Sequence, residues 1–183
     1  MKKSFLGLAI STLFMVGAAQ AEVNPNDVSA MLSVTGSVTH EVSCKVTLGS
    51  NVVDLQGDIA TLPNQGSAST SAMKTVDLSL SGDEECDSMA AEGKIAYSFL
   101  GTADNADGIS LANTDSSTSA AQGVGVALYN VKDNSIIKIN QNQMIAEGST
   151  GVNQLGLELV KLNNQEARAG SVHGVMTIQI ERL

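Results

Sequence analysis

The sequence predicts an all-β sandwich. Short segments in which apolar and polar residues alternate recur along the chain, as expected for strands with one buried face. They are separated by loops rich in Gly, Ser, Asn and Asp. No segment keeps the 3.6-residue apolar period of a helix, so these observations together favour two packed sheets.

The first 21 residues have the features of a secretory signal peptide. Lys2 and Lys3 form a positively charged start, residues 5–18 are mostly apolar, and the AQA at 19–21 fits a small-x-small cleavage site. The apolar run is short and contains Ser and Thr, which disfavours a membrane anchor. We therefore expect export, with Glu22 as the first residue of the mature chain.

The expected mature chain is acidic. Without Lys2 and Lys3 it keeps 8 basic residues against 19 acidic ones, a net charge near −11. Such a surface repels nucleic acids and anionic lipids, so neither is an expected partner. The remaining 162 residues are enough for one domain with a substantial core. Its aromatic residues are only Tyr97, Phe99 and Tyr129, so Val, Ile, Leu, Ala and Met must build that core.

Strands are predicted along the whole mature chain. In order they cover residues 28–34, 38–48, 51–56, 74–80, 94–101, 124–131, 135–140, 155–162 and 172–180. Within 74–80 we expect Val76, Leu78 and Leu80 to point inward. The stretch KDNS between 124–131 and 135–140 is typical of a hairpin turn.

The two ends of the mature chain each carry a strand with an apolar face. The sequence stops three residues after Ile180, so no later segment of it can pair beside the last strand. An apolar strand left at a sheet edge invites aggregation, so we expect a partner to cover it. If the two ends pair within one molecule, the fold is closed and monomeric. If they pair between molecules, each contact is head-to-tail and builds a filament.

Cys44 and Cys86 are the only cysteines. An even count in an exported chain predicts a disulfide. Such a bond closes a loop with 41 residues between its ends, which the chain-entropy model values at about 4 kcal/mol. No further ligands stand nearby, so a metal pair or two free thiols are disfavoured.

The sequence does not indicate catalysis, a metal or a cofactor. His40 and His173 both fall on strand-like stretches and no G-x-S-x-G motif is present. The acidic stretches DEECD at 83–87 and DNADG at 104–108 lack the ligand spacing of a calcium loop, so we interpret both as solvated acidic turns. The GVGV at 123–126 precedes no helix signal and is not a dinucleotide fingerprint.

Several stretches stand in a distinctive order. An alternating N-terminal extension leads to GSVTHEVSC with the first cysteine, and VDLSLSGDEEC ends at the second. YSFLGTA and GVGVALYN follow, and Gly170 stands fourteenth from the end, ahead of the alternating last strand. In this order and over essentially the whole mature chain, the sequence resembles the subunits of chaperone–usher pili of the type 1 fimbrial kind.

The resemblance implies an immunoglobulin-like β-sandwich that lacks its last strand. Residues 22–36 would be the donor-strand extension and residues 37–183 the incomplete domain. A periplasmic chaperone would fill the open groove, and at the outer-membrane usher the extension of the next subunit would replace it. The donor positions would be Val28, Ala30, Leu32 and Val34. The groove strand would comprise Gly170, Val172, Gly174, Met176, Ile178, Ile180 and Arg182.

Two positions depart from the family pattern. The penultimate residue, usually Tyr, is Arg182, and the donor position that usually carries Gly matches Ala30. The expected role is a structural, non-catalytic subunit, with the major subunit first and a minor adaptor second. In this family the tip adhesin carries an additional receptor-binding domain. A tip adhesin is therefore disfavoured, because this chain is long enough for only one domain. A monomeric binding protein with a closed sandwich is the alternative from another class, and the sequence indicates no host receptor.

Overall fold

The computed structural model describes residues 31–38, 41–148 and 152–183. Residues 41–148 and 152–183 belong to one compact unit, and residues 31–38 do not belong to it. The domain boundary predicted between residues 36 and 37 stays a prediction. The elements are β1 (Cys44–Leu48), β2 (Lys74–Gly82), α1 (Glu84–Ala91), β3 (Ile95–Gly101), β4 (Leu111–Ala112), β5 (Val124–Asn130), β6 (Ser135–Ile137), β7 (Gln143–Ile145), β8 (Val152–Lys161) and β9 (Met176–Arg182).

The described strands form two antiparallel sheets. The larger has the order β1-β2-β8-β5-β4, with β6 also paired to β5, and the smaller has the order β7-β3-β9. The hairpin predicted at KDNS is present, because Asn130 pairs with Ser135 across that turn. Asn134 adopts a φ of 56° there, a left-handed conformation that Asn tolerates well. The all-β prediction is confirmed.

The core lies between the inner faces of the sheets, as the alternation predicts. All three residues expected to point inward from β2 are buried, and so are Leu155, Leu157 and Leu159 of β8. Tyr97 and Phe99 are fully buried in this core, and Tyr129 is fully buried in a second, smaller cluster with Ala127 and Val160. Aliphatic side chains supply the rest of the core, which suits a sequence with so few aromatic residues.

A strap, defined here as residues 63–73, covers the outer face of β5 and β8. The Lys161 N–H donates to the Pro63 carbonyl at 2.8 Å, and the Tyr129 hydroxyl donates to the Ser67 carbonyl at 3.0 Å. Glu158, only 2% exposed, accepts from the Thr70 N–H at 2.9 Å and also from the Thr70 hydroxyl. These bonds satisfy a carboxylate that would be costly to bury alone. As a result, β5 and most of β8 are buried on both faces.

The two tyrosines make the fold sensitive to alkali. Burial raises the pKa of both hydroxyls to about 12, and at Tyr129 the charge of Glu158 adds to the effect. An unfolded chain ionises them near pH 10, so this part of the stability is complete below pH 10 and is lost as the pH rises towards 12. We expect the tyrosinate absorbance of the folded chain to appear at a pH about two units higher than that of the urea-unfolded chain. The chain has two Tyr and no Trp, so the signal is clean. Equal titration of the two samples would contradict this prediction.

The DEECD stretch begins a helix, so its interpretation as a turn is wrong. Asp83 is the N-cap of α1, where its Oδ1 accepts from the Cys86 N–H at 2.8 Å. Glu84, Glu85 and Asp87 occupy the first turn, where carboxylates stabilise the positive end of a helix. Only Cys86 and Ala90 of α1 are buried, too few to give a visible helical period.

The DNADG stretch is a turn, but Asp104 is not solvated. Asp104 is 6% exposed, and it accepts N–H bonds from Ala106, Gly108 and Ser110 and a side-chain bond from Gln65. Burial acts to raise the pKa of Asp104, but these bonds outweigh it and the pKa is lowered. N–H donors already occupy both carboxylate oxygens, so Asp104 has no free position for a cation.

Among the residues that the structure describes, no helix is both long and apolar enough to cross a membrane.

Candidate strand-binding groove

An edge strand of each sheet borders an open groove. β1 is the last strand of the larger sheet and has β2 as its neighbour, while β9 is the last strand of the smaller sheet and has β3 as its neighbour. Within the described chain, neither strand pairs with another on its outer side. The sandwich is therefore open along the line where β1 and β9 would otherwise be joined.

The groove encloses about 600 Å³ and has two walls and an apolar floor. One wall contains Val46, Leu48, Val53 and Leu55; the other contains Val172, Gly174, Met176 and Ile178. The floor is made by core residues of the larger sheet: Val76, Leu111, Val126, Leu155 and Leu157. A cavity with this lining and length suits an extended apolar segment.

The side chains along the walls are only partly buried. Met176, Ile178 and Ile180 of β9 are half-buried, whereas Tyr97 and Phe99 on β3 are fully buried. In register, Ile178 lies beside Phe99 and Ile180 beside Tyr97. Because these residues face the core and still contact solvent, the core is incomplete along this edge.

The peptide groups of both walls also point into the groove. In an antiparallel pair, alternate residues bond to the partner strand, and those between direct their N–H and C=O groups to the other side. The Asp83 N–H donates to Ser43 and the Gly49 N–H to Asp77, so the odd-numbered residues of β1 face β2. The even-numbered residues, Val42 to Leu48, therefore face the groove.

The same parity holds on the opposite wall. The Leu183 N–H donates to the Lys94 carbonyl at 2.9 Å, so the odd-numbered residues of β9 face β3. Met176, Ile178, Ile180 and Arg182 consequently present their peptide groups to the groove. An inserted strand would find hydrogen-bonding groups on both sides and apolar pockets beneath it.

The predicted C-terminal strand is confirmed in part, because β9 begins only at Met176. The residues before it are extended but bond to the loop around Asn113 instead of to β3. The Asn113 side chain donates to the Ser171 carbonyl at 3.0 Å and accepts from the His173 N–H at 2.9 Å. The exposed His173 lies on the groove wall.

Gly170 is placed where no side chain fits. A Cβ at this position would lie 2.3 Å from the Ser119 oxygen and 2.4 Å from the Ala121 nitrogen. Both atoms belong to the backbone, which cannot move aside as a flexible side chain would. Gly170 thus permits the close approach that fixes the start of the groove wall.

The segment 51–56 is not a hydrogen-bonded strand, although alternation predicts one there. It is extended, with Val53 and Leu55 half-buried against the core cluster and Asp54 between them exposed. The alternation is present, and the segment lines the groove, but no strand of the described chain pairs with it.

The disulfide predicted between Cys44 and Cys86 is present, with a Cα–Cα distance of 5.6 Å. It joins the first residue of β1 to the first turn of α1. The wall formed by β1 is therefore covalently attached to the body of the domain.

The far end of the groove is a second, more polar cavity. It has a volume of about 530 Å³ and is lined by Glu41, Val42, Ser43, Cys44, Ile180 and Arg182. The Arg182 guanidinium crosses it and donates to the Val42 carbonyl. The penultimate residue thus connects the two walls.

The predicted donor residues are only partly within the described chain. Leu32 is 88% exposed and Val34 83% exposed, and their alternation continues to Val38, which is fully exposed. Val28 and Ala30 lie outside the described residues. A set of large apolar side chains in water is uncommon in a stable monomer and is a feature of interaction segments.

Comparison with known proteins identifies the family. The family model described as fimbrial protein matches residues 32–181. The chain belongs to the fimbrial protein family. This fimbrial chain is also similar to a solved structure, the crystal structure of the P pilus rod subunit PapA. The TM-score is 0.51 at 14% identity, over 84% of this chain and 100% of that one. At that identity the likeness shows the fold, here the immunoglobulin-like sandwich of pilus subunits. No curated protein sequence matches the chain.

The resemblance to fimbrial subunits stated from the sequence is thus confirmed. Proteins of this family are structural and form cell-surface pili. What sequence reasoning missed is the second groove wall, Val46 to Leu55, and the Arg182 contact. The alternation of Val42, Cys44 and Val46 could have indicated the wall, but nothing in the sequence connects Arg182 to Val42.

Proposed function

We propose that this chain is a structural pilus subunit that polymerises by donor-strand exchange. The N-terminal extension of one subunit enters the groove between β1 and β9 of the next. The observation that carries the proposal is the pair of unpaired edges, each with peptide groups facing an apolar groove. The exposed Leu32 and Val34 supply an apolar strand that such a groove would bury.

The assembly route follows from the same open groove. An unfilled apolar groove aggregates, so the subunit needs a temporary occupant between export and polymerisation. In the proposed route a periplasmic chaperone provides that occupant and an outer-membrane usher mediates its replacement. The repeating, major subunit is the proposed role, because one domain with one donor and one acceptor can extend a filament indefinitely. Counting copies in filaments sheared from cells distinguishes it from a minor adaptor.

The donor strand can be tested with a synthetic peptide of residues 22–36. The peptide should displace the chaperone from purified chaperone–subunit complex, because Val28, Ala30, Leu32 and Val34 share one face of a strand. A Leu32→Asp peptide should fail, since it would bury a charge in the apolar groove. A Ser33→Asp peptide is the matched control, because its new carboxylate faces away from the groove.

Two outcomes would contradict the proposal. Equal displacement by the wild-type and Leu32→Asp peptides would mean that the alternating face does not enter the groove. A mature subunit that stays monomeric without chaperone, with no peptide binding, would favour a closed binding protein. The structural role of the fimbrial family supports a non-enzymatic subunit.

A further inference from the structure

The contact between Arg182 and Val42 closes one end of the groove. Val42 precedes β1 and Arg182 is the last residue of β9, so the bond connects two edges that share no ladder there. Arg182 follows Met176, Ile178 and Ile180 on the groove-facing side of β9. It is nevertheless exposed, and the described chain shows no carboxylate ion pair to it.

The Val42 carbonyl is one of the groups that an inserted strand would need. It belongs to the row of even-numbered peptide groups that face away from β2. The Ser43 N–H bonds to Asp83 at 2.9 Å and the Ser43 carbonyl accepts from the Asp83 N–H, which fixes the opposite orientation for Val42. In the empty groove, the guanidinium therefore occupies an acceptor at the end of that row.

We propose that Arg182 is a placeholder for the donor strand: its guanidinium satisfies the Val42 carbonyl in the empty subunit and leaves when a donor N–H takes that carbonyl. The proposal rests on the donor-strand function above. The contact stabilises the empty state alone, so it opposes completion of the groove at this end.

The chemistry of arginine suits this role. The long apolar stem can lie over Ile180, and the planar head carries five donors, so one bond to a carbonyl is easily made and exchanged. Once displaced, the charged head returns to water, because Arg182 is at the surface. A tyrosine, usual at this position in the family, carries one donor on a shorter, rigid ring and could not be exchanged in the same way.

The test compares the stability of empty and filled subunits. The chain without residues 1–21 is unfolded in urea as a dilute monomer, with and without saturating wild-type 22–36 peptide. Arg182→Met should lower the midpoint of the empty chain and leave that of the filled chain unchanged. The peptide should accordingly bind about five-fold more tightly, the equivalent of one ordinary hydrogen bond. Arg182→Lys, which can still donate to Val42, should behave like wild type.

Lys45→Met is the matched control. Lys45 is exposed and its peptide group faces β2, so this change removes a nearby positive charge without affecting the Val42 carbonyl. It should not change peptide affinity. If Arg182→Met lowers the empty and filled midpoints equally, Arg182 is simply structural and the placeholder role is wrong. If the peptide stabilises no variant, wild type included, the donor-strand function fails first and this inference with it.

Discussion

Ile178→Asp should prevent the groove from being filled. Ile178 is half-buried beside Phe99 and lies on the groove wall, so a donor strand would bury it completely. Burial of such a side chain contributes about 1.5–3 kcal/mol, and an unpaired carboxylate in its place costs more. We expect the variant to lose all measurable binding of the 22–36 peptide and to be degraded in cells. Calorimetric titration with the peptide, together with the yield of periplasmic subunit, measures both effects.

The control introduces aspartate at the next residue of β9. Gln179 is exposed on the other face of β9, so Gln179→Asp adds an equal charge that stays in water. Its peptide affinity should remain within about two-fold of wild type. If both variants lose binding, the effect comes from net charge or strand propensity, and the assigned groove face is wrong.

Gly170→Ala should destabilise the subunit strongly, although the substitution adds only one methyl group. The added methyl would meet three backbone atoms within 2.5 Å, so residues 119–121 or the start of the C-terminal segment must move. Overpacking of this kind costs about 3 kcal/mol when the neighbours cannot yield. The urea midpoint of the empty subunit should fall accordingly, and exchange of the Ser171 and Ala121 amides should accelerate.

Gly148→Ala provides the comparison for that substitution. A methyl there would find its nearest atoms at 3.9 Å, an ordinary contact distance. Its midpoint should change little or rise slightly, because alanine restricts the unfolded chain more than glycine does. Similar losses from both alanines would show that Gly170 is not needed for the close approach.

The strands were predictable because the side chains that each strand directs into the core follow a period of two. Val76, Leu78 and Leu80, and likewise Leu155, Leu157 and Leu159, follow the period of two and are all buried. α1 was not predictable in the same way, since its buried residues, Cys86 and Ala90, are too few and too small for an amphipathic pattern. Its cap, Asp83, was the available signal, but the surrounding carboxylates suggested a solvated turn.

The buried carboxylates could not be predicted, because their partners are far away in sequence. Gln65 stands 39 residues before Asp104, and Thr70 stands 88 residues before Glu158. A charged residue in a loop or on a strand is exposed unless a distant segment supplies donors, and alternation gives no information about such segments. The groove was predictable on its C-terminal wall, where Val172 to Ile180 alternate. On the other wall Val42, Cys44 and Val46 also alternate, but only the packing of the two sheets places this alternation along the groove.

The disulfide has a mechanical consequence for a pilus under tension. If the extension before residue 36 is held in a neighbouring subunit, a pulling force enters this domain shortly before Cys44. The bond to Cys86 carries that force directly to α1 and bypasses the 41 residues between them. Most of β1, the strap and β2 lie in this bypassed loop. About 140 Å of extended chain is thereby withheld from stretching, at roughly 3.5 Å per residue. A reduced subunit should accordingly lengthen by up to that distance before breaking, and an oxidised one should not.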